Sequence, residues 1–285
     1  MFSVKVNATS ANLSVGFDVL GLALDIKNVF TFEKSDDFLF TGFEKKYCNK
    51  DHNLVYDSYI KVFEKLNIKP IPVKIGFNGD IPVSRGLGSS SSLIVGGVFA
   101  ANHILGNPLT KNECFDICAE LEGHPDNVAP AIYGDLVASY KIGDKYYPNL
   151  YKVSDKLKFI TIIPPFELKT EMARGVLPHE LPYKDIVSNL SRIVNIPRAF
   201  LDGDIKLIMD LFDDKLHEPY RGKLIEGFDE IKKLCNSKNV ALCISGSGST
   251  MLAISYDYEI LNDLKKFGYE LRTPKLGSGV LIEEE

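Results

Sequence analysis

The sequence contains the loop segment Pro82-Val83-Ser84-Arg85-Gly86-Leu87-Gly88-Ser89-Ser90-Ser91-Ser92, and the apolar run Leu93-Ile94-Val95-Gly96-Gly97-Val98-Phe99-Ala100-Ala101 follows it directly. The run predicts a helix that is buried on nearly every side, capped by the serines at its start and stopped by Gly106 and Pro108. Gly86 and Gly88 lack a Cβ atom, so the backbone there can take a positive φ and approach a ligand closely. Because the unpaired N–H groups and the positive dipole end of a helix attract anions, the segment predicts a phosphate cradle.

Other glycine-rich motifs fit this segment less well. No lysine follows the second glycine, which excludes the nucleotide loop that ends in Gly-Lys-Ser/Thr. Ser91 stands where the dinucleotide-binding fingerprint has its third glycine. On these residues alone, a Gly/Ser turn that merely caps a core helix stays open as the other explanation.

The composition limits the class of protein. The 285 residues suit one large domain or two medium ones, and a hydrophobic content of 45% supplies a sizeable core. A net charge of −5 argues against a nucleic-acid surface, and the longest apolar run is shorter than the roughly 20 residues that span a bilayer. The first residues predict a strand and no signal peptide. Five scattered cysteines without a Cys-x-x-Cys motif predict reduced thiols in a cytoplasmic protein and no zinc site.

Apolar periodicity predicts strands and helices along the whole chain. The polar segment 141–156 marks the expected domain boundary, which divides the chain into residues 1–150 and 151–285. The last residues, Glu283-Glu284-Glu285, predict a solvated tail. The predicted strands cover residues 4–6, 73–77, 137–140, 159–163, 240–244 and 251–254, with a strand-rich stretch at 19–47, and the predicted helices cover 51–66 (with Asp51 as N-cap), 111–121, 184–195, 204–213, 223–235 and 257–267.

Two further segments are dense in polar residues. The first is Asn7-Ala8-Thr9-Ser10-Ala11-Asn12-Leu13-Ser14-Val15-Gly16-Phe17-Asp18, where Asn12 and Asp18 are equally explained by turn chemistry. The second is Glu120-Leu121-Glu122-Gly123-His124-Pro125-Asp126-Asn127, which a solvated helix end followed by a proline turn would also explain. Since Mg²⁺ prefers carboxylate oxygens and retains waters, one or two of these acids near bound phosphates would suffice to hold it.

Taken together, these motifs resemble those of the GHMP small-molecule kinases. Pro-x-x-x-Gly-Leu-Gly-Ser-Ser resembles their ATP loop, although the family usually has alanines in place of Ser91 and Ser92. The segment that ends at Asp18 is similar to the opening motif of homoserine kinases, with Ser14-Val15 in place of Gly-Pro, and the segment around His124 is similar to their second signature. The third GHMP motif, a glycine turn that leans on the phosphate loop, resembles Ser245-Gly246-Ser247-Gly248-Ser249-Thr250, where proline is common in place of Ser249.

The resemblance to homoserine kinases implies an α+β, GHMP kinase-like two-domain fold. Its N-terminal half would be a ribosomal-protein-S5-like nucleotide domain, and its C-terminal half a ferredoxin-like α/β sandwich. The implied activity is ATP- and Mg²⁺-dependent phosphorylation of the L-homoserine hydroxyl to O-phospho-L-homoserine, a cytoplasmic step of threonine biosynthesis. We expect L-homoserine as the small-molecule substrate, neither nucleic acid nor membrane as a partner, and a homodimer as the candidate assembly.

The same resemblance assigns roles to individual residues. Segment 82–92 would bind the phosphates of ATP, and Asn53 would lie at the adenine. A lone arginine is usually a surface charge, but the fork of a guanidinium suits an amino-acid carboxylate, and an aspartate suits the ammonium group. The implied substrate-binding residues are Asn12, Asp18, His124, Asp126, Asn127, Thr170, Arg174 and Arg221, and the implied metal ligands are Glu122, Glu120 and Ser90.

The expected mechanism depends on Asn127, whose side chain is an amide. Asn127 stands where the wider superfamily often has an acid, and an amide cannot act as a general base. We therefore expect direct attack by the substrate hydroxyl, which Asn12 and Asn127 would orient, while Asp18 keeps a base mechanism open. Two other functions stay open: a mevalonate-pathway kinase, which needs no ammonium site, and a non-catalytic relative, which would bind a small molecule without releasing ADP.

Overall fold

The computed structural model describes residues 1–284, which form two β-sheets and the helices packed on them. The strands are β1 (Phe2–Ala11), β2 (Leu20–Lys34), β3 (Leu39–Thr41), β4 (Val73–Gly79), β5 (Leu136–Ile142), β6 (Lys145–Tyr151), β7 (Lys158–Ile163), β8 (Ala241–Ile244), β9 (Met251–Ser255), β10 (Glu270–Arg272) and β11 (Leu281–Glu284). The α-helices are α1 (Leu54–Leu66), α2 (Ser89–Ile104), α3 (Lys111–Glu122), α4 (Pro125–Tyr133), α5 (Thr170–Gly175), α6 (Tyr183–Ile193), α7 (Ile196–Asp202), α8 (Ile205–Leu211), α9 (Glu218–Arg221), α10 (Phe228–Ser237) and α11 (Leu261–Leu264). The predicted α+β class is confirmed.

The larger sheet has seven strands and is organised around the long strand β2. β2 pairs antiparallel with β1 on one edge and with β4 and β5 on the other. The β1–β2 pairing has a register shift between Asn7 and Ala8, and such a bulge bends a strand. Before the shift, Val6 belongs to a first core shared with helices α1 to α4, whereas after it Ala8 belongs to a second core beneath the smaller sheet.

The smaller sheet has four antiparallel strands in the order β10-β7-β9-β8, the order of a ferredoxin-like β-α-β-β-α-β unit. Strands β7, β8 and β9 are buried on both faces, which explains their apolar sequences, whereas the edge strand β10 is partly exposed. Phe159 faces the second core together with helices α7 and α8, while Ile160 faces a third core together with α10. The second core therefore joins the two halves of the chain.

The C-terminal end of the chain returns to the first sheet. Strand β11 pairs antiparallel with β1, and the Lys5 Nζ atom lies 2.6 Å from a carboxylate oxygen of Glu283. Glu283 and Glu284 therefore belong to a strand and do not form the predicted tail, although their side chains are exposed to solvent, while Glu285 lies outside the described residues. The division of the chain at residue 150 stays a prediction. Because β11 pairs with β1, the sheet formed by residues 1–150 also includes this C-terminal strand.

The remaining differences concern short elements. Helix α1 begins at Leu54, because the side chain of Asn53, rather than that of Asp51, accepts hydrogen bonds from the first helical N–H groups. The polar segment 141–156 contains strand β6, an edge strand that pairs with β5. Helix α10 begins at Phe228 rather than at 223, and α7, β10 and β11 are elements that the periodicity did not predict. Within residues 1–284, no helix combines the length and the apolar character needed to cross a membrane.

Candidate active site

The phosphate cradle predicted from the sequence lies at the N-terminus of α2. Gly86 and Gly88 both take the left-handed conformation, with φ of 74° and 68°. Gly88 is the N-cap and no side chain caps the helix, so the prediction that the serines cap it is wrong. Within residues 1–284, the backbone N–H groups of Ser89, Ser90 and Ser91 have no protein acceptor. These donors and the helix dipole are therefore available to an anion.

The glycine turn at residues 245–250 holds this loop from the side. The hydroxyl of Ser245 donates to the carbonyl oxygen of Gly86 at 2.7 Å, and the N–H of Thr250 donates to the carbonyl oxygen of Arg85 at 3.0 Å. A Cβ atom on Gly86 would come within 2.2 Å of the Ser245 carbonyl oxygen. The turn thus leans on the phosphate loop, as the resemblance implied, and the close approach requires glycine at position 86.

A cavity of about 430 Å³ opens over the loop and gathers most of the residues predicted for the site. All eight of the predicted substrate-binding residues line it, as do Asn53 and the loop residues other than Pro82, Leu87, Ser91 and Ser92. Leu87 is buried in the second core, and the Ser92 hydroxyl donates to the carbonyl oxygen of Ser89. The loop therefore borders the cavity with Val83, Ser84 and Arg85 as well as with its glycines, Ser89 and Ser90, while Leu87 and Ser92 hold its shape.

One part of the cavity wall is aromatic and was missed in the sequence. The rings of Phe43 and Phe77 stack with centroids 5.0 Å apart, and Tyr47 lies beside Asn53. The Asn53 Nδ2 atom donates to the carbonyl oxygen of Tyr47 at 2.8 Å, while its Oδ1 atom caps α1. A flat apolar surface of this kind suits an aromatic base. No local sequence motif signals it, because the three rings come from a bend, a single helical turn and strand β4.

The acids at the end of α3 have different surroundings. Glu122 lines the cavity and accepts hydrogen bonds from the hydroxyls of Ser90 at 3.0 Å and Ser91 at 2.9 Å. Glu120 lies outside the cavity with 59% of its side chain exposed, and its carboxylate is 3.8 Å from the Lys61 Nζ atom. Residues two apart on a helix do not share a face, so only one of these acids can point toward α2.

Two oxygen ligands for a cation therefore lie together in the cavity, on Glu122 and Ser90. Burial raises the pKa of Glu122, although the charge of His124 and the hydrogen bonds from Ser91 and Ser90 oppose that shift. No cluster of three or more acidic, histidine or cysteine side chains that could hold a metal ion occurs in the described part of the chain. A pair of protein oxygens fits Mg²⁺, which retains waters and takes further ligands from phosphates.

Replacement of Glu122 by glutamine is expected to raise the Mg²⁺ concentration needed for half-maximal rate by about tenfold and to lower the maximal rate. Glutamine keeps the shape and can still accept from the serines, but it loses the charge, and a hydrogen bond to a charged group is worth roughly 1.5–3 kcal/mol. The measurement is the initial rate of ADP release as a function of Mg²⁺ concentration. Glu120→Gln is the matched control, and a Mg²⁺ shift in that variant alone would assign the ligand to the other acid.

A chain of polar contacts crosses the start of α4. The His124 Nδ1 atom lies 2.6 Å from a carboxylate oxygen of Asp126, and the Asn127 Oδ1 atom accepts from the Thr9 hydroxyl at 2.7 Å. Burial lowers the pKa of His124, but the hydrogen bond with Asp126 and the charges of Asp126, Glu122 and Asp18 outweigh that effect and raise it. Because its Oδ1 is held by Thr9, the Asn127 amide has a fixed orientation at the cavity wall.

The segment 12–18 turns back on itself through left-handed residues. Asn12 has φ of 72° and Asp18 has φ of 57°. The Asn12 Oδ1 atom accepts from the N–H of Asp18 at 3.0 Å, and its Nδ2 atom donates to the carbonyl oxygen of Gly246 at 2.8 Å. Asn12 therefore stabilises its own turn and connects it to the glycine turn at residues 245–250. It has both of the roles considered from the sequence, since it forms the turn and also lines the cavity.

The two predicted arginines meet in the cavity, and their partners differ. Arg174 forms a two-pronged ion pair with Asp18, with distances of 3.1 and 2.8 Å. That hydrogen bonding raises the pKa of Arg174. The partner acid is 156 residues distant in the chain, which is why no neighbour of Arg174 in the sequence revealed it.

Arg221 is only 2% exposed and has no carboxylate partner within residues 1–284. Its Nε atom donates to the carbonyl oxygen of Ala173 at 3.0 Å, and its Nη1 atom donates to that of Gly246 at 3.2 Å. Burial, followed by the charge of Arg174, lowers the pKa of Arg221 to about 10, so the side chain is still a cation at neutral pH. A buried cation that contacts no carboxylate is a favourable place for an anionic ligand group.

Comparisons with known proteins cover both halves of the chain. The family model "GHMP kinases N terminal domain" matches residues 53–135, and "GHMP kinases C terminal" matches residues 197–270. A homoserine kinase of Clostridium botulinum is 41% identical over 293 residues, which cover 98% of each chain. A homoserine kinase of Clostridium beijerinckii is 42% identical over 272 residues, which cover 94% of this chain and 91% of that protein.

Solved structures of related kinases also match nearly the whole chain. The homoserine kinase from Cytophaga hutchinsonii superposes with a TM-score of 0.88 at 28% identity, covering 99% of this chain and 96% of that one. The phosphomevalonate kinase of Streptococcus pneumoniae superposes with a TM-score of 0.73 at 16% identity, covering 96% of this chain and 99% of that one. At that identity the second likeness shows the fold alone.

Proposed function

The chain belongs to the homoserine kinases of the GHMP kinase family, and on that premise we propose that it transfers the γ-phosphoryl group of ATP to the hydroxyl of L-homoserine. The product would be O-phospho-L-homoserine, an intermediate for threonine biosynthesis in the cytoplasm. The observation that carries the proposal is the shared cavity. It combines a phosphate cradle at the start of α2 with a buried cation, Arg221, and an aspartate, Asp18, that suit the two charges of an amino acid.

The amino-acid end of the cavity supports a zwitterionic substrate. Its carboxylate would contact Arg221, which has no acid partner within the described residues, and Arg174. Its ammonium group would contact Asp18 or Asp126. Because Asp18 and Arg174 pair with each other, a ligand with both charges replaces that ion pair without leaving either side chain unpaired. A ligand with only one of the charges lacks this compensation.

The nucleotide end is supported by three features. The N–H groups of Ser89 to Ser91 suit the phosphates, and the aromatic wall formed by Phe43, Tyr47 and Phe77 suits the adenine. Glu122 and Ser90 would hold Mg²⁺, which supplies positive charge to the phosphate oxygens when it is bound. Asn53 borders the aromatic wall, where it shapes the pocket through its bond to Tyr47.

Neither Asn127 nor Asp18 is a free acceptor for the proton of the reacting hydroxyl. Asn127 is an amide, and the oxygens of Asp18 accept from Arg174 in the free site and would contact the ammonium group of the bound substrate. This arrangement favours direct attack on the phosphoryl group, with the proton lost late to a phosphate oxygen. The residues would then act by position: Asn127, fixed by Thr9, orients the hydroxyl, and the cradle holds the phosphates in line. Asp18 stays the alternative base.

The test is a coupled assay of ADP release with L-homoserine, mevalonate and phosphomevalonate as acceptors. We expect turnover with L-homoserine and none above background with the other two, since neither carries the ammonium group that Asp18 requires. Preferred turnover of a mevalonate-type acceptor would overturn the substrate assignment. Binding of L-homoserine without ADP release would instead identify a non-catalytic relative.

A further inference from the structure

Arg174 and Arg221 both lie in the amino-acid end of the cavity, and within residues 1–284 only Arg174 contacts a carboxylate. Asp18 pairs with Arg174, whereas Arg221 has main-chain carbonyl oxygens as its only acceptors within residues 1–284. The charge of Arg174 disfavours the charged form of Arg221. The ion pair with Asp18 therefore does not by itself offset the repulsion between the two guanidinium groups.

The ring of Phe17 contacts both of them. The guanidinium carbon of Arg221 lies 5.0 Å from the ring centroid, and that of Arg174 lies 5.5 Å from it. A cation within about 6 Å of an aromatic ring is attracted by the negative charge on the ring face, and a planar guanidinium also stacks on it. Phe17 thus gives both arginines a favourable contact that brings no negative charge into the site.

Phe17 is itself held in place by the segment that leads to Arg221. The His217 ring stacks on Phe17 with centroids 5.3 Å apart, and its Nε2 atom donates to the carbonyl oxygen of Ser14 at 2.8 Å. His217 is fully buried, and it is the N-cap of α9, the short helix that ends at Arg221. The ring is therefore fixed between the turn that carries Asp18 and the helix that carries Arg221.

From this geometry we propose that Phe17 is a positioning residue for substrate recognition, and the proposal rests on the proposed homoserine kinase function. The ring contacts both guanidinium groups and so holds them on one side of the cavity, where both can reach one carboxylate. An acidic side chain in its place would neutralise the arginines, and an aliphatic one would let them separate. Phe17 would consequently set the affinity for the carboxylate group and leave the phosphoryl-transfer step unaffected.

The test compares Phe17→Leu with Phe17→Tyr, which keeps the aromatic face. For the leucine variant we expect the KM and the calorimetric Kd for L-homoserine to rise about tenfold, with kcat and the KM for ATP unchanged. The tyrosine variant should retain wild-type values. On homoserine carboxamide, which lacks the anionic group, the leucine variant and the wild type should perform equally. Phe267→Leu, a partly buried phenylalanine outside the cavity, is the control for the loss of a ring elsewhere.

The outcomes separate the two proposals. A wild-type protein that neither binds nor phosphorylates L-homoserine would overturn the proposed function. A wild-type protein that does both, together with a leucine variant of equal homoserine affinity, would overturn the role of Phe17. Equal weakening by tyrosine and leucine, or equal losses on homoserine and its carboxamide, would overturn it as well. If the leucine variant fails to fold, Phe17→Met is measured against the same expectation.

Discussion

Replacement of Gly88 by valine is expected to lower kcat/KM for ATP by about a hundredfold or more. Gly88 has φ of 68°, and a Cβ atom there would come within 2.0 Å of the Thr9 hydroxyl oxygen and 3.3 Å of the Asn127 Oδ1 atom. The loop must shift to relieve that clash, and displacements near 1 Å at a reacting site can cost about a hundredfold in rate. The shift would also disturb the Thr9–Asn127 hydrogen bond, which fixes the amide beside the acceptor.

The variant should still fold, because the clash falls mainly on the Thr9 side chain and the helix behind the loop keeps its core contacts. Gly106→Val is the matched control. Gly106 lies just past the other end of α2 with φ of 82°, and a Cβ atom there would meet no other atom within 4 Å, so valine adds backbone strain without a clash. Steady-state kinetics in ATP and thermal unfolding of both variants provide the comparison. A folded Gly88 variant with wild-type ATP turnover would contradict the phosphate cradle.

Replacement of Arg221 by leucine is expected to lower kcat/KM for L-homoserine by about ten- to a hundredfold or more, with little change in the KM for ATP. Arg221 is buried, it has no acid partner within residues 1–284, and its guanidinium is held by two carbonyl oxygens that cannot neutralise it. A carboxylate that reaches it gains a charge-assisted hydrogen bond worth roughly 1.5–3 kcal/mol, and each 1.4 kcal/mol is about tenfold in affinity.

The leucine variant also removes this donor from the carbonyl oxygen of Ala173, which lowers folding stability by about 1–3 kcal/mol, whereas the carbonyl oxygen of Gly246 still accepts from Asn12. A loss of stability alone would affect all substrates alike, so homoserine carboxamide distinguishes the two effects. The carboxamide should be a poor substrate for the wild type and nearly indifferent to the mutation. Arg221→Lys should recover part of the activity on homoserine, since a point charge lacks the fork of the guanidinium. Equal losses on both compounds would make Arg221 a structural residue.

Local signals in the sequence were sufficient for the phosphate loop and for most of the elements that carry the site. The apolar run after Ser92 lies in α2, which begins at Ser89, and both glycines of the preceding loop have positive φ. These features were predictable because a helix start, a missing Cβ atom and a buried apolar run are properties of consecutive residues. Strands β7, β8 and β9 of the smaller sheet were predictable for the same reason, since burial on both faces makes their sequences apolar.

Only the tertiary structure decided which of these residues meet. It pairs Arg174 with Asp18, leaves Arg221 among carbonyl oxygens, and places Phe17 between them. It also turns Glu122, and not Glu120, toward Ser90, because the packing of α3 on α2 determines which helix face borders the cavity. The sequence itself determines each side chain's chemistry and its place on a helix or strand. Which cationic side chain pairs with which acid depends on how the two sheets pack against each other across the second core. That packing results from many weak apolar contacts between residues distant in the chain.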